Sequence, residues 1–351
     1  AFGLEPVNPM DAAGPLTADF VERLNEAAKI LAIDPNVAVM AHELFIDDHF
    51  CFCPEAIDYV CKLPEVTGKP HLFVSSLGSA DTGATAERLE DAGIPMISGT
   101  RPMLAAVKNA LAWRDDQERN RDSPGEADAV VVARWRERLA AGAMDETEAL
   151  AMLGAFGVPV VRSDVCETGE AAVEAACEIG FPVVLKTAMP GIAHKSDVGG
   201  VMVRLADETA LDEAYAVMSA ALGPRVAVAA MVPKGVEIAL GMVRDPQYGP
   251  MVMVGAGGVL VELLDDRAFA LAPFGIDDAY RLLDRLKIKR LLEGMRGAPP
   301  ADLESLALAI SRFSVMAAAL ADGIAEMDIN PMIAGPDGAI AVDALVVAQD
   351  N

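Results

Sequence analysis

The chain is poor in positive charge. Of its 351 residues, 28 are Lys or Arg and 53 are Asp or Glu, a net charge of −25. No basic patch is visible, which argues against a nucleic-acid-binding surface. Only nine lysines occur, and two of them, Lys186 and Lys195, share one short segment. An anionic ligand must therefore be held locally, by a few cations and by backbone N–H groups. No apolar run approaches the roughly 20 residues of a membrane-spanning helix, so no membrane partner is expected. The N-terminal AFGLEPVNPMD lacks a basic region, a signal-peptide core and an initiator Met. A cytoplasmic location is expected, for a chain either processed or cut from something longer. The cysteines (Cys51, Cys53, Cys61, Cys166, Cys177) are odd in number and irregularly spaced, and they read as reduced thiols.

What is present suggests two or three domains, with 53% hydrophobic residues to fill their cores. Residues 1–113 alternate helical and strand patterns: TADFVERLNEAAKILAI, VAVMAHELFI, PEAIDYVCKL, HLFVSSL, TGATAERLEDAG, IPMIS and MLAAVKNALAW. That βα alternation predicts a small parallel-sheet domain. Residues 114–128, RDDQERNRDSPGEAD, hold one Ala and no larger aliphatic residue, and read as a solvated linker. A second α/β region occupies 129–351. WRERLAAGAMDETEALAMLGAFG reads as one helix, VPVVRSD and FPVVLKTA as strands, and Thr168 as the cap of the helix GEAAVEAACEIG. RVAVAAMV, EIALGMV and PMVMVGAGG read as an antiparallel sheet. Two helices follow, near 277–294 and 302–321, and IAEMDINPMIAGPDGAIAVDALVV closes the chain as a hairpin.

The hairpin is informative because alternate side chains of a strand share a face. Glu326, Asp328 and Asn330 point one way. If GPDG is the turn, Ala334 pairs with Ala339 and the same register sets Asn330 opposite Asp343, with Cβ atoms about 4.5–5.5 Å apart. Asp328, Asn330 and Asp343 then form a cluster of oxygen donors suited to Mg²⁺; the outer face of a solvated hairpin fits the pattern equally well. Lys186 ends a buried strand, where an unpaired ammonium is costly. A loop with Pro and Gly follows, up to Gly199-Gly200, and can approach phosphate oxygens closely. A strand-end lysine beside glycines is also a common structural accident. His194 lies in that loop. A neutral imidazole can accept a phosphoryl group, and a polar loop residue is the plain alternative.

Two further segments suit a nucleotide. Ala230-Met231-Val232 offers backbone donors and acceptors between strands, with Glu237 beyond for ribose hydroxyls. Gly255, Gly257 and Gly258 form a second glycine loop, outside any strand–GxGxxG–helix context. His42, His49, Cys51 and Cys53 match no structural zinc spacing.

Taken together, FGVPVV, FPVVLK, HKSDVGGV, MVPKGVEIALGMVRDPQYGP, VGAGGVLVELL, LLEGMRGAPP and EMDINP…AVDAL resemble, in order, the ATP-grasp region of ADP-forming acyl-CoA synthetases, relatives of succinyl-CoA synthetase. That match runs from about 130 to 347. Residues 5–113 resemble the flavodoxin-like ligase domain that precedes it. The resemblance implies an α/β fold: a small flavodoxin-like parallel-sheet domain, then an ATP-grasp domain of two subdomains. It also implies a reaction, acyl-CoA + ADP + phosphate ⇌ carboxylic acid + CoA + ATP, carried through phosphohistidine. His194 would be the phosphoryl carrier. Lys186, Lys195, Gly199, Gly200, Ala230, Met231, Val232, Glu237, Gly257 and Gly258 would hold ATP or ADP, and Asp328, Asn330 and Asp343 the Mg²⁺. The CoA-binding Rossmann domain and the Ser-His-Thr-Gly loop of the family are missing, so CoA and the acid are expected to act through missing domains or a partner chain. An oligomer is expected. Where family members often carry Gln-Glu, this chain has Ala229-Ala230. A carboxylate–amine ligase of the same fold and a non-catalytic nucleotide-binding subunit are the competing readings.

Overall fold

The computed structural model describes residues 20–43, 46–51, 54–76, 80–119, 121–192, 195–258, 265–295 and 297–349. The chain divides into two compact units, Ala1–Asn120 and Arg121–Asn351.

In the first unit, helix α1 (Phe20–Ile33) precedes strand β1 (Met40–Glu43), and the short antiparallel pair β2 (Ile46–Asp47) and β3 (Phe50–Cys51) follows. The helical stretch 54–63 is in fact two helices, α2 (Pro54–Val60) and α3 (Leu63–Thr67). Pro64 lies in the first turn of α3, where its missing N–H has no partner to lose. Strand β4 (His71–Ser75), helix α4 (Gly83–Asp91), strand β5 (Met96–Ser98) and helix α5 (Thr100–Glu118) complete the unit. Among the described residues the sheet runs β1-β4-β5, all parallel. Central β4 is buried along its whole length, as a strand covered on both faces must be. Helix α5 continues through Glu118, so the charged stretch expected to begin a linker at 114 starts as helix.

His42 and His71 meet inside this unit. His42 Nε2 lies 2.8 Å from His71 Nδ1, with ring planes 10° apart and centroids 5.1 Å apart. At that separation the rings meet edge to edge, not face to face. The Thr67 hydroxyl donates to Leu63 O at 2.8 Å, so its contact with His71 Nε2 at 2.7 Å is one in which it accepts. His71 therefore carries its proton on Nε2, and its bare Nδ1 accepts from His42 Nε2–H. Burial and the neighbouring His71 push His42 down to about 4, and burial lowers His71. Both are neutral near pH 7. His49, the third histidine in this unit, faces Asp81 at 3.4 Å instead.

The second unit begins with helix α6 (Ala129–Ala140) and helix α7 (Glu146–Ala155), where one helix is predicted over 135–157. Asp145 breaks it. Its side chain accepts the Glu148 N–H at 2.9 Å and Glu148 returns to the Asp145 N–H at 3.1 Å, a capping box that starts a new helix. Next come strand β6 (Ser163–Cys166), helix α8 (Gly169–Ile179), strand β7 (Val183–Thr187), a 3₁₀ turn (Lys195–Val198), strand β8 (Val201–Leu205), helix α9 (Glu208–Leu222) and strand β9 (Val226–Ala230). Thr168 caps α8 through Ala171 N–H. These strands form an antiparallel sheet in the order β6-β9-β7-β8, and α8 and α9 cover it with Ala172, Ala176, Leu211 and Met218.

The second sheet holds strands β10 (Val236–Asp245), β11 (Gly249–Ala256), β12 (Arg267–Leu271), β13 (Ile324–Gly335), β14 (Gly338–Ala341) and β15 (Leu345–Ala348). Its order is β12-β11-β10-β13-β14, with β15 also on β13. Helices α10 (Ile276–Arg285), α11 (Lys289–Leu292) and α12 (Leu303–Leu320) lie between β12 and β13 in the chain. Helix α12 is long and apolar enough to cross a membrane by length and composition. Here it is a core helix, with Ile310, Phe313, Met316 and Leu320 fully enclosed. The parallel three-stranded sheet of the first unit and the two antiparallel sheets of the second are the fold class expected, but RVAVAAMV, expected in one sheet with EIALGMV and PMVMVGAGG, joins the other sheet as β9.

Strand β13 holds both β14 and β15 end to end along one edge. Ala334 pairs with Ala339 as predicted, although the turn is tighter, because Gly335 pairs with Gly338. The second arm is not continuous: it leaves the sheet over residues 342–344 and rejoins in the same register. There Val342 N–H still reaches Pro331 O, while its carbonyl turns to another partner.

Candidate functional site

That partner is Lys186. It sits on β7 of the first sheet, where it is 5% exposed. Its Nζ donates to Val342 O at 2.8 Å and to Glu146 Oε1 at 2.8 Å, and lies 3.7 Å from Asp343 Oδ2. One ammonium thus joins the two sheets of the unit at the gap between β14 and β15. Glu146, at the first turn of α7, also pairs with Lys195 from the 3₁₀ turn. Burial pushes both lysines below their usual range, and Asp343 opposes the shift in each; Asp145 adds to the opposition at Lys195. Asp145 is itself held by Arg225 at 2.9 Å, which fixes the start of α7.

Asp328 lies on the open face of the second sheet, and Asp343 in the gap at its edge. Successive pairings run Phe269–Met253–Gly241–Asp328–Leu345. Asp328 is the charged residue in an otherwise apolar row whose ends are exposed, Phe269 at 45% and Leu345 at 54%. Burial, then Glu326 and Asp343, raise its carboxyl above the usual range. Asn330 keeps to the same face, and the β10–β13 register shifts beside it, a bulge of the kind found near active sites. Its Oδ1 accepts the Gly258 N–H at 3.1 Å, which leaves that oxygen one lone pair for a cation. No cluster of three His, Cys, Asp or Glu side chains able to hold a metal exists among the described residues. The donor set is two carboxylates and an amide oxygen. Such hard oxygens fit Mg²⁺, which usually takes few protein ligands and completes its shell with phosphates and water.

The glycines serve close packing. Gly200 sends its N–H to Lys195 O at 2.7 Å, and a Cβ there would stand 2.6 Å from Thr187 Cγ2. Gly199 adopts φ +71°, a region open to glycine at little cost. Gly257 donates to Glu237 O at 2.8 Å, and Gly258 leaves the room that the Glu237 carboxylate fills. The N–H groups of Gly200, Gly257 and Gly258 already have internal partners, so the loops shape the site more than they offer donors. Ala230 N–H is likewise taken, by Arg162 O at 2.9 Å. Met231 and Val232 make no backbone–backbone hydrogen bond among the described residues. Glu237 and Gly257 line a cavity of about 520 Å³ with Lys234, Leu291, Met295 and Pro299. His194 lies outside the described residues.

Sequence reasoning missed Glu146, the residue that gathers both lysines. The signal was Asp145-Glu-Thr-Glu148, whose D-x-x-E spacing marks a helix start. Reading 135–157 as one helix hid it.

Comparison with known proteins identifies the family of the second unit. Residues 137–348 match the ATP-grasp domain family. The beta subunit of acetate–CoA ligase (ADP-forming) I from Pyrococcus furiosus is 40% identical over 210 residues, 58% of this chain and 90% of that subunit. Acetate–CoA ligase (ADP-forming) I from Archaeoglobus fulgidus is 31% identical over 98% of this chain, which spans 50% of that protein's length. A solved structure of dinucleotide-forming acetyl-coenzyme A synthetase 1 from Ca. Korarchaeum cryptofilum, 38% identical, superposes with a TM-score of 0.55 over 62% of this chain and 98% of that one. It is described in complex with coenzyme A and Mg-AMPPCP, its phosphohistidine segment pointing towards the nucleotide binding site. Family model and relatives agree: this chain belongs to the ATP-grasp family, with the beta subunits of ADP-forming acetate–CoA ligases.

Proposed function

We propose that the second unit is the nucleotide site of an ADP-forming acyl-CoA synthetase, which interconverts acyl-CoA, ADP and phosphate with carboxylic acid, CoA and ATP. One observation carries the reading. Lys186 of one sheet lies 3.7 Å from Asp343 of the other, so a cation for phosphate and oxygen donors for Mg²⁺ share one junction. Phosphoryl transfer needs mainly positioning and charge neutralisation. Lys186 and Lys195 face the phosphates. Met231 and Val232 present backbone groups to the base, and Glu237 takes the ribose hydroxyls. Asp328, Asp343 and the free lone pair of Asn330 would hold Mg²⁺, which supplies charge neutralisation on the phosphate oxygens.

In this reading His194 is the phosphoryl carrier. A ring nitrogen forms the N–P bond as the P–O bond to the leaving group breaks, and the return step gives the phosphoryl group to ADP. Lys195, the next residue, supplies positive charge to that phosphoryl group. CoA and the acid enter through another chain or domain, in line with the match of this chain to half the length of the Archaeoglobus fulgidus ligase.

Two measurements test the proposal. Calorimetry should show saturable binding of ADP in millimolar Mg²⁺, and a flat titration would refute the nucleotide site. With γ-labelled ATP, acid-labile and base-stable label should appear and vanish in His194→Ala. Label surviving that change would remove His194 from the mechanism. Absence of label from a chain that binds ATP would favour a carboxylate–amine ligase.

A further inference from the structure

We infer that Glu146 is a stand-in for phosphate: its carboxylate holds the ammonium groups of Lys186 and Lys195 together, and yields Lys195 to an arriving phosphoryl oxygen. The inference rests on the nucleotide reading above and adds a positioning residue to it.

The three groups are not equally fixed. Glu146 is 13% exposed and begins a helix whose preceding residue is pinned twice, by Glu148 N–H and by Arg225. It cannot follow a departing partner. Lys186 sits on a central strand and keeps Val342 O and Asp343 even without Glu146. Lys195 has Glu146 as its ion-pair partner and belongs to a short 3₁₀ turn. It is the group that can leave.

A carboxylate and a phosphoryl group offer lysine the same thing, two or more anionic oxygens within hydrogen-bond reach. A buried ammonium left without either is costly. Exchanging one oxygen anion for the other keeps Lys195 paired throughout, and until the exchange Glu146 holds the two lysines together.

Charge balance gives the idea a distinctive consequence. Lys186 and Lys195 are offset by Glu146 and Asp343, so the cluster is neutral as it stands. Bringing in a nucleoside diphosphate adds several negative charges beside Glu146, and binding must then depend strongly on an accompanying divalent cation. Glu146→Gln removes one negative charge with little change of shape, and should relax that dependence.

The test uses the full chain in two arms. In the first, lysines of the ligand-free protein are acylated with acetic anhydride and scored by mass spectrometry against exposed Lys234. Glu146→Gln should raise Lys195 labelling by at least about fivefold, because its ion-pair partner is gone, and leave Lys186 protected. In the second, ADP affinity is measured by calorimetry with Mg²⁺ and with EDTA. The ratio of the two Kd values should fall at least about fivefold in Glu146→Gln. Glu146→Asp, which keeps the charge but shortens the reach, should restore the Mg²⁺ dependence while leaving Lys195 more reactive than in the wild type. A merely structural Glu146 would lower the melting temperature and move neither ratio. Wild-type protein that binds ADP with Mg²⁺ beside an unchanged ratio and unchanged Lys195 labelling overturns the role of Glu146 alone. Wild-type protein that binds no ADP overturns the nucleotide reading and this inference with it.

Discussion

The first unit buries imidazoles and the second buries ammonium groups, and the contrast shows what each can do with a ligand. His42 and His71 satisfy each other. Their proton positions are fixed by a chain ending at Leu63 O, and no charge is present to attract an anion. Lys186 and Lys195 both pair with Glu146, and Asp343 favours the charged form of each. A neutral buried relay is complete without a partner. A buried set of balanced charges can exchange one anion for another, and it is the second kind that lies where the two sheets of a nucleotide-binding fold meet.

The contrast breaks most severely at Lys186. Lys186→Met keeps the volume, removes the cation and leaves Val342 O and Asp343 without it. Affinity for Mg·ADP should fall at least 100-fold, about 2.7 kcal/mol, by calorimetry. Denaturant unfolding should show a loss of about 3 kcal/mol, the usual cost of breaking a buried ion pair. Unchanged affinity would remove Lys186 from the site.

The next effect belongs to the first unit. His42 titrates near 6.5 in the unfolded chain and at about 4 in the fold. Between those values the unfolded state binds the extra proton, so stability falls as pH drops from 6.5 toward 4 and levels off below. The full loss is up to about 3 kcal/mol. His71, lowered by burial, acts in the same direction. Amide protection of β1 and β4 measured at pH 7, 6 and 5 should decline along that curve, and His42→Gln should flatten it. A pH-independent wild type would mean the pair is hydrated.

The smallest effect sharpens the acid side. The Asp328 carboxyl is raised by burial and by Glu326 and Asp343, so its charged form works against the fold above its pKa. Asp328→Asn should therefore raise the melting temperature by about 2 °C, and at the same time weaken the Mg²⁺ dependence of ADP binding. A variant that melts lower would assign Asp328 a structural role.

The register on either side of Asn330 and Asp343 was legible because strands carry a strict two-residue period and GPDG limits where the chain can turn, but the expected Asn330–Asp343 pair is absent from the ladder, since residues 342–344 leave the sheet. The burial of Lys186 was legible too, since a lysine closing FPVVLK ends an apolar strand. What stayed hidden depends on chain breaks that periodicity blurs. Residues 135–157 are apolar at helical spacing throughout, so the interruption at Asp145 is carried by capping chemistry alone. AVDALVV reads as unbroken strand, yet Val342 turns its carbonyl to a lysine 156 residues earlier in the chain, a partner no local pattern announces. The glycine loops were found as loops, but their N–H groups close on Lys195, Glu237 and Asn330.

The gap in the edge of β13 also sets what length changes this protein can absorb. From Met332–Ala341 to Asp328–Leu345 both strands advance by four residues, so residues 342–344 span the opening with no slack. Because side chains alternate, deleting or adding one residue there would turn β15 over. Val346 would face solvent, and Leu345 and Val347 would face the core. The exposed tip at Pro336-Asp337 lies outside that constraint, since β14 is already in register before the chain reaches the gap. Natural variation in length should therefore collect at the tip and be purged at 342–344, and a tag inserted at Asp337 should leave the lysine junction undisturbed.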